Sequence, residues 1–142
     1  MTSYWAYDAW GQTDIAIIGG GFTGAHTALS LRHRLPHARI TLLERGLYGL
    51  GASTQNAGFA CFGSPSELLA TQRRLGAEGM AALVEARWQG LQLFRSRVSD
   101  AEMHYQPGGG YEIYRDDAPE ALDRLGELNA LLRPIFGKDV YR

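Results

Sequence analysis

Gly19-Gly20-Gly21-Phe22-Thr23-Gly24 spells G-x-G-x-x-G, and glycines at that spacing can hold a dinucleotide pyrophosphate against backbone. Gly19 would let the chain turn sharply off a strand. Gly21 has no side chain to keep a phosphate from the main chain, and Gly24 would let a helix pack closely on a sheet. A pyrophosphate held there meets free N–H groups at the positive end of the helix. Twenty residues past Gly24 stands Glu44, a carboxylate suited to accept hydrogen bonds from both adenosine ribose hydroxyls. Taken alone the glycine pattern is weak, because an ordinary tight turn uses the same residues. Its weight comes from the elements around it.

Those elements arrive in the required order. Asp14 to Gly19, with its continuous aliphatic run Ile15 to Ile18, predicts a strand buried on both faces. Phe22 to Leu35 predicts a helix with an apolar stripe of Phe22, Ala25, Ala28, Leu29 and Leu31, ended by Pro36. Ala38 to Glu44 predicts a second strand, so that the first forty-five residues make a right-handed βαβ unit with a parallel sheet. Residues 1–13 are aromatic and read as irregular. Beyond the glycine-rich loop of Gly46 to Gly63, Ser64-Pro65-Ser66-Glu67 reads as a helix start with a capping box. That helix is expected to run to about Val98, with Met80, Val84, Trp88, Leu91 and Val98 near one face and a break at Gly76, Gly79 or Gly90. Met103 to Arg115 predicts a hairpin turning at Gly108-Gly109-Gly110, with Tyr111 and Ile113 facing one way and Glu112 and Tyr114 the other. A last helix is expected from Asp117-Ala118-Pro119-Glu120, carrying Leu122, Leu125, Leu128 and Leu132 and stopping at Pro134.

A nicotinamide or a flavin dinucleotide could use such a unit, and the segment after Glu44 discriminates. It reads Arg45-Gly46-Leu47-Tyr48-Gly49-Leu50-Gly51-Ala52-Ser53-Thr54-Gln55-Asn56-Ala57-Gly58. Small residues here let backbone approach phosphates and a ring system closely. Ser53 and Asn56 add a hydroxyl and an amide for polar cofactor edges, although both also suit turns that cap their own backbone. Gly51-Ala52-Ser53 and Asn56-Ala57-Gly58, together with the opening Ser3-Tyr4-Trp5, resemble the N-terminal portion of the D-amino-acid oxidase-like flavoenzymes. That family includes glycine oxidase, sarcosine oxidase and gamma-glutamylputrescine oxidoreductase types. The resemblance spans residues 3–63 and continues weakly as far as Gly110-Tyr111-Glu112-Ile113.

The resemblance implies an α/β fold: a Rossmann-like FAD-binding βαβ unit with a parallel sheet, followed by helices and the start of an α+β substrate domain. Residues 1–98 would belong to the FAD-binding domain and 99–142 would begin a substrate domain that is incomplete here. It implies oxidation of a C–N bond of an amine or amino acid to an imine, by hydride transfer to flavin. The cofactor contacts would come from Gly19, Gly20, Gly21, Phe22, Thr23, Gly24, Glu44, Arg45, Gly51, Ala52, Ser53, Asn56, Ala57 and Gly58. Some relatives attach flavin through a histidine in this loop; Gln55 and Asn56 stand there instead, which implies non-covalent FAD. Catalytic residues are not assignable, because the family carries its substrate-binding strands later in the chain. A nicotinamide-dependent dehydrogenase and a non-catalytic dinucleotide-binding fragment stay as alternatives.

Composition sets the outer limits. A formal net charge of −1 with both signs interspersed argues against a nucleic-acid surface. Cys61 is the only cysteine, which fits a reducing compartment and a small buried side chain. No signal peptide and no membrane-spanning run is evident, so a cytoplasmic location is expected. His26, His33, His37 and His104 have no companions that complete a metal site. The Asp14–Ile18 edge lacks the charges or prolines that protect sheet margins, so we expect these 142 residues studied alone to self-associate, to bind FAD poorly and to oxidise no amine, and to need the remaining C-terminal part of the protein. Sedimentation and flavin titration of the chain test this; a stable monomer that binds FAD tightly and turns over an amine would contradict it.

Overall fold

A computed structural model describes residues 3–47, 50–114 and 120–142. The chain forms two compact units, Met1–Phe59 and Ala60–Arg142. The first opens with helix α1, Tyr4–Trp10, where an irregular segment was expected. Ser3 explains the helix: its hydroxyl accepts from the Ala6 N–H at 3.1 Å, satisfying one of the donors that a helix start leaves free. Strand β1 (Ile15–Ile18), helix α2 (Phe22–Arg34) and strand β2 (Ile40–Leu43) follow. The strands pair in parallel from Ile15 opposite Ile40 to Ile18 opposite Leu43. This is the expected βαβ arrangement.

The entry to both strands is tied by polar bonds that the strand pattern alone did not announce. The Arg39 N–H donates to Asp14 Oδ2 at 2.8 Å, and its guanidinium pairs with Asp14 Oδ1 at 3.2 Å. The Thr13 hydroxyl reaches the Arg39 and Ile15 carbonyls at 2.9 and 3.1 Å. The Arg39 backbone N–H, then its side chain, lower the Asp14 pKa.

β1 is not buried on both faces. Ile15 and Ile17 are half-buried, whereas Ala16 and Ile18 are exposed, Ile18 at 89%. One helix covers one face of a two-stranded sheet, and no described element of this unit covers the other. The α2 stripe is correspondingly open: Phe22 and Leu29 are 54% and 51% exposed, Ala25 is exposed, and Ala28 and Leu31 are half-buried. The helix ends at Arg34, one residue before the expected Leu35.

The second unit holds the apolar core, formed by Leu68, Leu69, Met80, Val84, Ala121, Leu128 and Leu132. Helix α3, Pro65–Arg97, is interrupted at Gly76, whose φ of 74° and ψ of 171° are non-helical. Of the three glycines expected to allow a break, this one makes it. The chain doubles back there: Arg87 lies 2.8 Å from Glu67, residues that a straight helix would hold roughly 30 Å apart. Glu67 therefore spends its carboxylate on Arg87 and not on a capping box.

Ser64 makes no side-chain cap either. Its hydroxyl donates to Glu112 Oε1 at 3.0 Å, and Glu112 Oε2 accepts from the Ser66 N–H at 3.2 Å. The Ser66 hydroxyl bonds the same carboxylate, as does Tyr114 Oη at 2.5 Å. A residue forty-six positions away thus caps α3. Burial pushes the Glu112 pKa up, but the bonds from Ser66, Tyr114 and Ser64 outweigh it and leave it lowered. Burial, then the bond to Glu112, pushes Tyr114 up to about 12.

The expected hairpin at Met103–Arg115 does not form; no strand occurs over residues 103–114, and Arg115 lies outside the described residues. Its alternation survives without a sheet. Tyr111 and Ile113 are 96% and 90% exposed, while Tyr114 packs against the core and Glu112 reaches α3. The start of an α+β domain is accordingly not seen as sheet. The last helix is two: α4, Glu120–Asp123, and α5, Leu125–Phe136, separated at Arg124. Leu122 is exposed, Leu128 and Leu132 are fully buried, and the residues expected to start this helix, Asp117 to Pro119, lie outside the described residues. Pro134 does not stop α5, which continues to Phe136 and ends at Gly137 in the left-handed region (φ 71°). Within the second unit α3 packs on α4 and α5.

Removing the Glu112 charge should weaken the second unit. Glu112→Gln is expected to lower its stability by about 1 kcal/mol at neutral pH, the usual magnitude for a lost helix cap. The folded pKa is lowered, so the contribution is complete above the ordinary carboxylate value and lost as pH falls through the folded one. Urea unfolding of both forms should therefore converge in acid; equal midpoints at neutral pH would contradict the cap.

Candidate dinucleotide site

β1 runs directly into the glycine turn. The Gly19 N–H donates to the Leu43 carbonyl at 2.7 Å, extending the strand pairing by one bond. Gly19 then adopts φ +101°, a conformation that side chains resist, and the chain leaves the sheet. Gly24 sits where α2 crosses this turn. A Cβ on Gly24 would lie 1.9 Å from the Gly19 carbonyl oxygen and 3.5 Å from Ile17, so only glycine permits the approach. A Cβ on Gly21 would lie 2.8 Å from the Ser53 hydroxyl.

Glu44 stands just past β2 with its carboxylate turned to the glycines. Oε2 accepts from the Gly20 N–H at 2.7 Å and Oε1 from the Gly46 N–H at 3.1 Å. The Gly20 bond first, then Gly46, lowers its pKa, so the group is an anion at neutral pH. Each carboxylate oxygen keeps further acceptor capacity for ligand hydroxyls.

Ser53 is brought to the start of α2, where its hydroxyl accepts from the Phe22 N–H at 3.0 Å. The surrounding loop is wound on itself: Thr54 and Gln55 N–H groups donate to the Gly51 and Ala52 carbonyls at 3.1 and 3.3 Å. Asn56 closes it, donating to the Ser53 carbonyl at 2.8 Å and accepting from the Gly58 N–H at 2.8 Å. That is an Asx turn, so the amide organises the loop that carries Ser53. Gly51, Ala52, Ala57 and Gly58 are exposed, as are Thr23 and Arg45. The structure thus gathers Gly19 to Gly24, Glu44 and Ser53 around one helix end. Gln12, Thr13, Asp14 and Arg39, which set the strands in register below it, carried no motif; an acid directly before one strand and an arginine directly before the other was the available signal.

Cys61 is exposed, not the buried side chain expected, because it falls in a loop outside the core. His26 is half-buried and His33, His37 and His104 are exposed. Among the described residues no three His, Cys, Asp or Glu side chains gather to hold a metal.

A parallel βαβ unit, a glycine turn at the helix start and an acid after the second strand define the class: a dinucleotide-binding protein of Rossmann type. A family model described as FAD dependent oxidoreductase matches residues 14–138. The chain belongs to that family, the D-amino-acid oxidase-like flavoenzymes. It is 25% identical over 116 residues to the gamma-glutamylputrescine oxidoreductase of Escherichia coli (strain K12), an alignment that covers 80% of this chain and 27% of the relative. The chain therefore spans about a quarter of that protein's length. No solved structure gives a significant match.

The donor set fits FAD: backbone N–H groups and a hydroxyl at a helix start for the pyrophosphate, an anion for the ribose, and no Cβ at Gly21. Two substitutions separate cradle from scaffold in the complete protein. The Cβ of Gly21→Val meets only the Ser53 side chain, so far-UV circular dichroism should persist while flavin binding is lost. Gly24→Ala meets backbone, so both should suffer. A yellow Gly21→Val protein with stoichiometric FAD would show that this turn is not the cradle.

Proposed function

We propose that this chain is the N-terminal, FAD-binding part of an oxidoreductase that oxidises a C–N bond of an amine or amino acid to an imine. The observation that carries the reading is the Glu44 carboxylate, 2.7 Å from the Gly20 N–H, in a chain of the FAD-dependent oxidoreductase family. The name of the Escherichia coli relative supports an amine as substrate. Bound flavin would supply the hydride acceptor, the part of the chemistry that a cofactor brings and a protein does not.

The chain's own residues would bind and orient. Gly19 to Gly24 would present the start of α2 to the pyrophosphate, and Glu44 would accept from the ribose hydroxyls. Ser53 would exchange its bond to the Phe22 N–H for a phosphate oxygen. Gly51, Ala52, Ala57 and Gly58 would leave room for the flavin, with Asn56 shaping their loop. Phe22, Thr23 and Arg45 would line its approach. Gln55 and Asn56, where some relatives carry a linking histidine, support non-covalent binding. In functional terms residues 1–98 would serve the cofactor and 99–142 would begin the substrate domain. The partners would be a small amine or amino acid and the rest of the same protein, with neither nucleic acid nor membrane involved. A cytoplasmic setting agrees with the lone cysteine; among the described residues no helix is long and apolar enough to cross a membrane. Self-association of the isolated chain would follow from the outer edge of β1.

Glu44→Ala in the complete protein should weaken FAD at least tenfold, through loss of the charge-assisted bonds to the ribose hydroxyls. Flavin fluorescence titration measures it, and anaerobic bleaching of the flavin by candidate amines tests the reaction. Unchanged FAD affinity would remove Glu44 from the site; a purified protein carrying nicotinamide and no flavin would overturn the reading.

A further inference from the structure

Ser53 stands at the position proposed for a phosphate oxygen. Its hydroxyl accepts from the Phe22 N–H at 3.0 Å, and a Cβ on Gly21 would lie 2.8 Å from that same oxygen. The space that Gly21 leaves open at the start of α2 is therefore taken by a side chain of this protein. α2 has no side-chain cap from Gly21, and Ser53 supplies one from thirty-one residues away. The Phe22 N–H carries a single hydrogen, so Ser53 and a phosphate oxygen compete for it.

Little else holds Ser53 there. Residues 51–58 are bonded among themselves, through Thr54, Gln55 and Asn56. Among the described residues, the Ser53–Phe22 bond is the one hydrogen bond that joins this stretch to the rest of its unit. Ser53 is half-buried, while every other residue from 51 to 58 is exposed. Leu50 and Phe59 on either side are 67% and 85% exposed, so apolar packing does not pin the ends. A Cβ at Gly51 or Gly58 would meet nothing within 4 Å, which leaves both ends room to turn. We propose that residues 51–58 form a strap across the start of α2 that opens to admit the dinucleotide, with the Ser53 hydroxyl as its latch. This rests on the flavin reading and adds to it a control on entry. Only molecules with the latch released accept a phosphate at Phe22, and apparent entry scales with their fraction. A contact made only with bound ligand acts instead on release.

The test is stopped-flow mixing of the complete protein, freed of flavin, with excess FAD, followed by flavin fluorescence. In Ser53→Ala the association rate constant should rise about two- to tenfold, the range that releasing one ordinary hydrogen bond allows. Ser53→Thr keeps the hydroxyl and should admit FAD at the natural rate. Circular dichroism checks that both variants fold. Association unchanged or slower in Ser53→Ala, with only dissociation quickened, would mark a phosphate contact and overturn the latch. Entry into Ser53→Thr as fast as into Ser53→Ala would overturn it too, and either result leaves the flavin reading standing. Failure of the natural protein to bind FAD would overturn that reading and the strap with it.

Discussion

The close approach of α2 to the end of β1 is the constraint on which the candidate dinucleotide site rests. Gly24 and the Gly19 carbonyl meet so tightly that even one methyl group cannot fit between them. Seated there, the helix presents its first N–H groups beside the turn, with Phe22 within reach of Ser53 and Gly20 within reach of Glu44. A helix displaced outward by one side chain would carry Phe22 away from Ser53. The electrostatic character follows from the same contact, because the positive end of a helix acts over about one turn.

The two units are held by different forces. The cofactor unit has no fully buried large side chain among its described residues; its strands are tied by hydrogen bonds and by an exposed Asp14–Arg39 pair, and exposed pairs contribute little. Its apolar residues are present but open, notably Ile18, Phe22 and Leu29. The helical unit buries seven apolar residues among those described and adds the Glu112 carboxylate, which fastens its segment to the start of α3. A carboxylate at a helix N-terminus gains both hydrogen bonds and the helix dipole. This explains why the segment around Glu112 holds its place without a sheet.

The glycine turn presents mostly backbone, and the two side chains brought to it, Glu44 and Ser53, are hydrogen-bonded to that backbone. Such bonds fix direction before a ligand arrives. Asn56 serves the same end at one remove, since its amide closes the turn that delivers Ser53.

The sequence by itself determined the βαβ order, the glycine turn and the position of Glu44, because these depend on local pattern: a short aliphatic run, glycines at fixed spacing, and an acid after the second run. It also marked Gly76 as a possible break and the alternation of Tyr111 to Tyr114. What only the tertiary structure decided were matters of partnership. A continuous aliphatic run looks doubly buried, yet burial of Ile18 requires a covering layer that no local pattern can report. Ser64 and Glu67 form a capping box on paper, but Glu112 reaches Ser64 from forty-eight residues away and Arg87 reaches Glu67 from twenty, and both compete successfully for the same atoms. Pro134 looks like a stop, yet only its own N–H is missing, and the burial of Leu128 and Leu132 carries α5 on to Gly137. Pattern specifies which groups are available; the fold decides which of them meet.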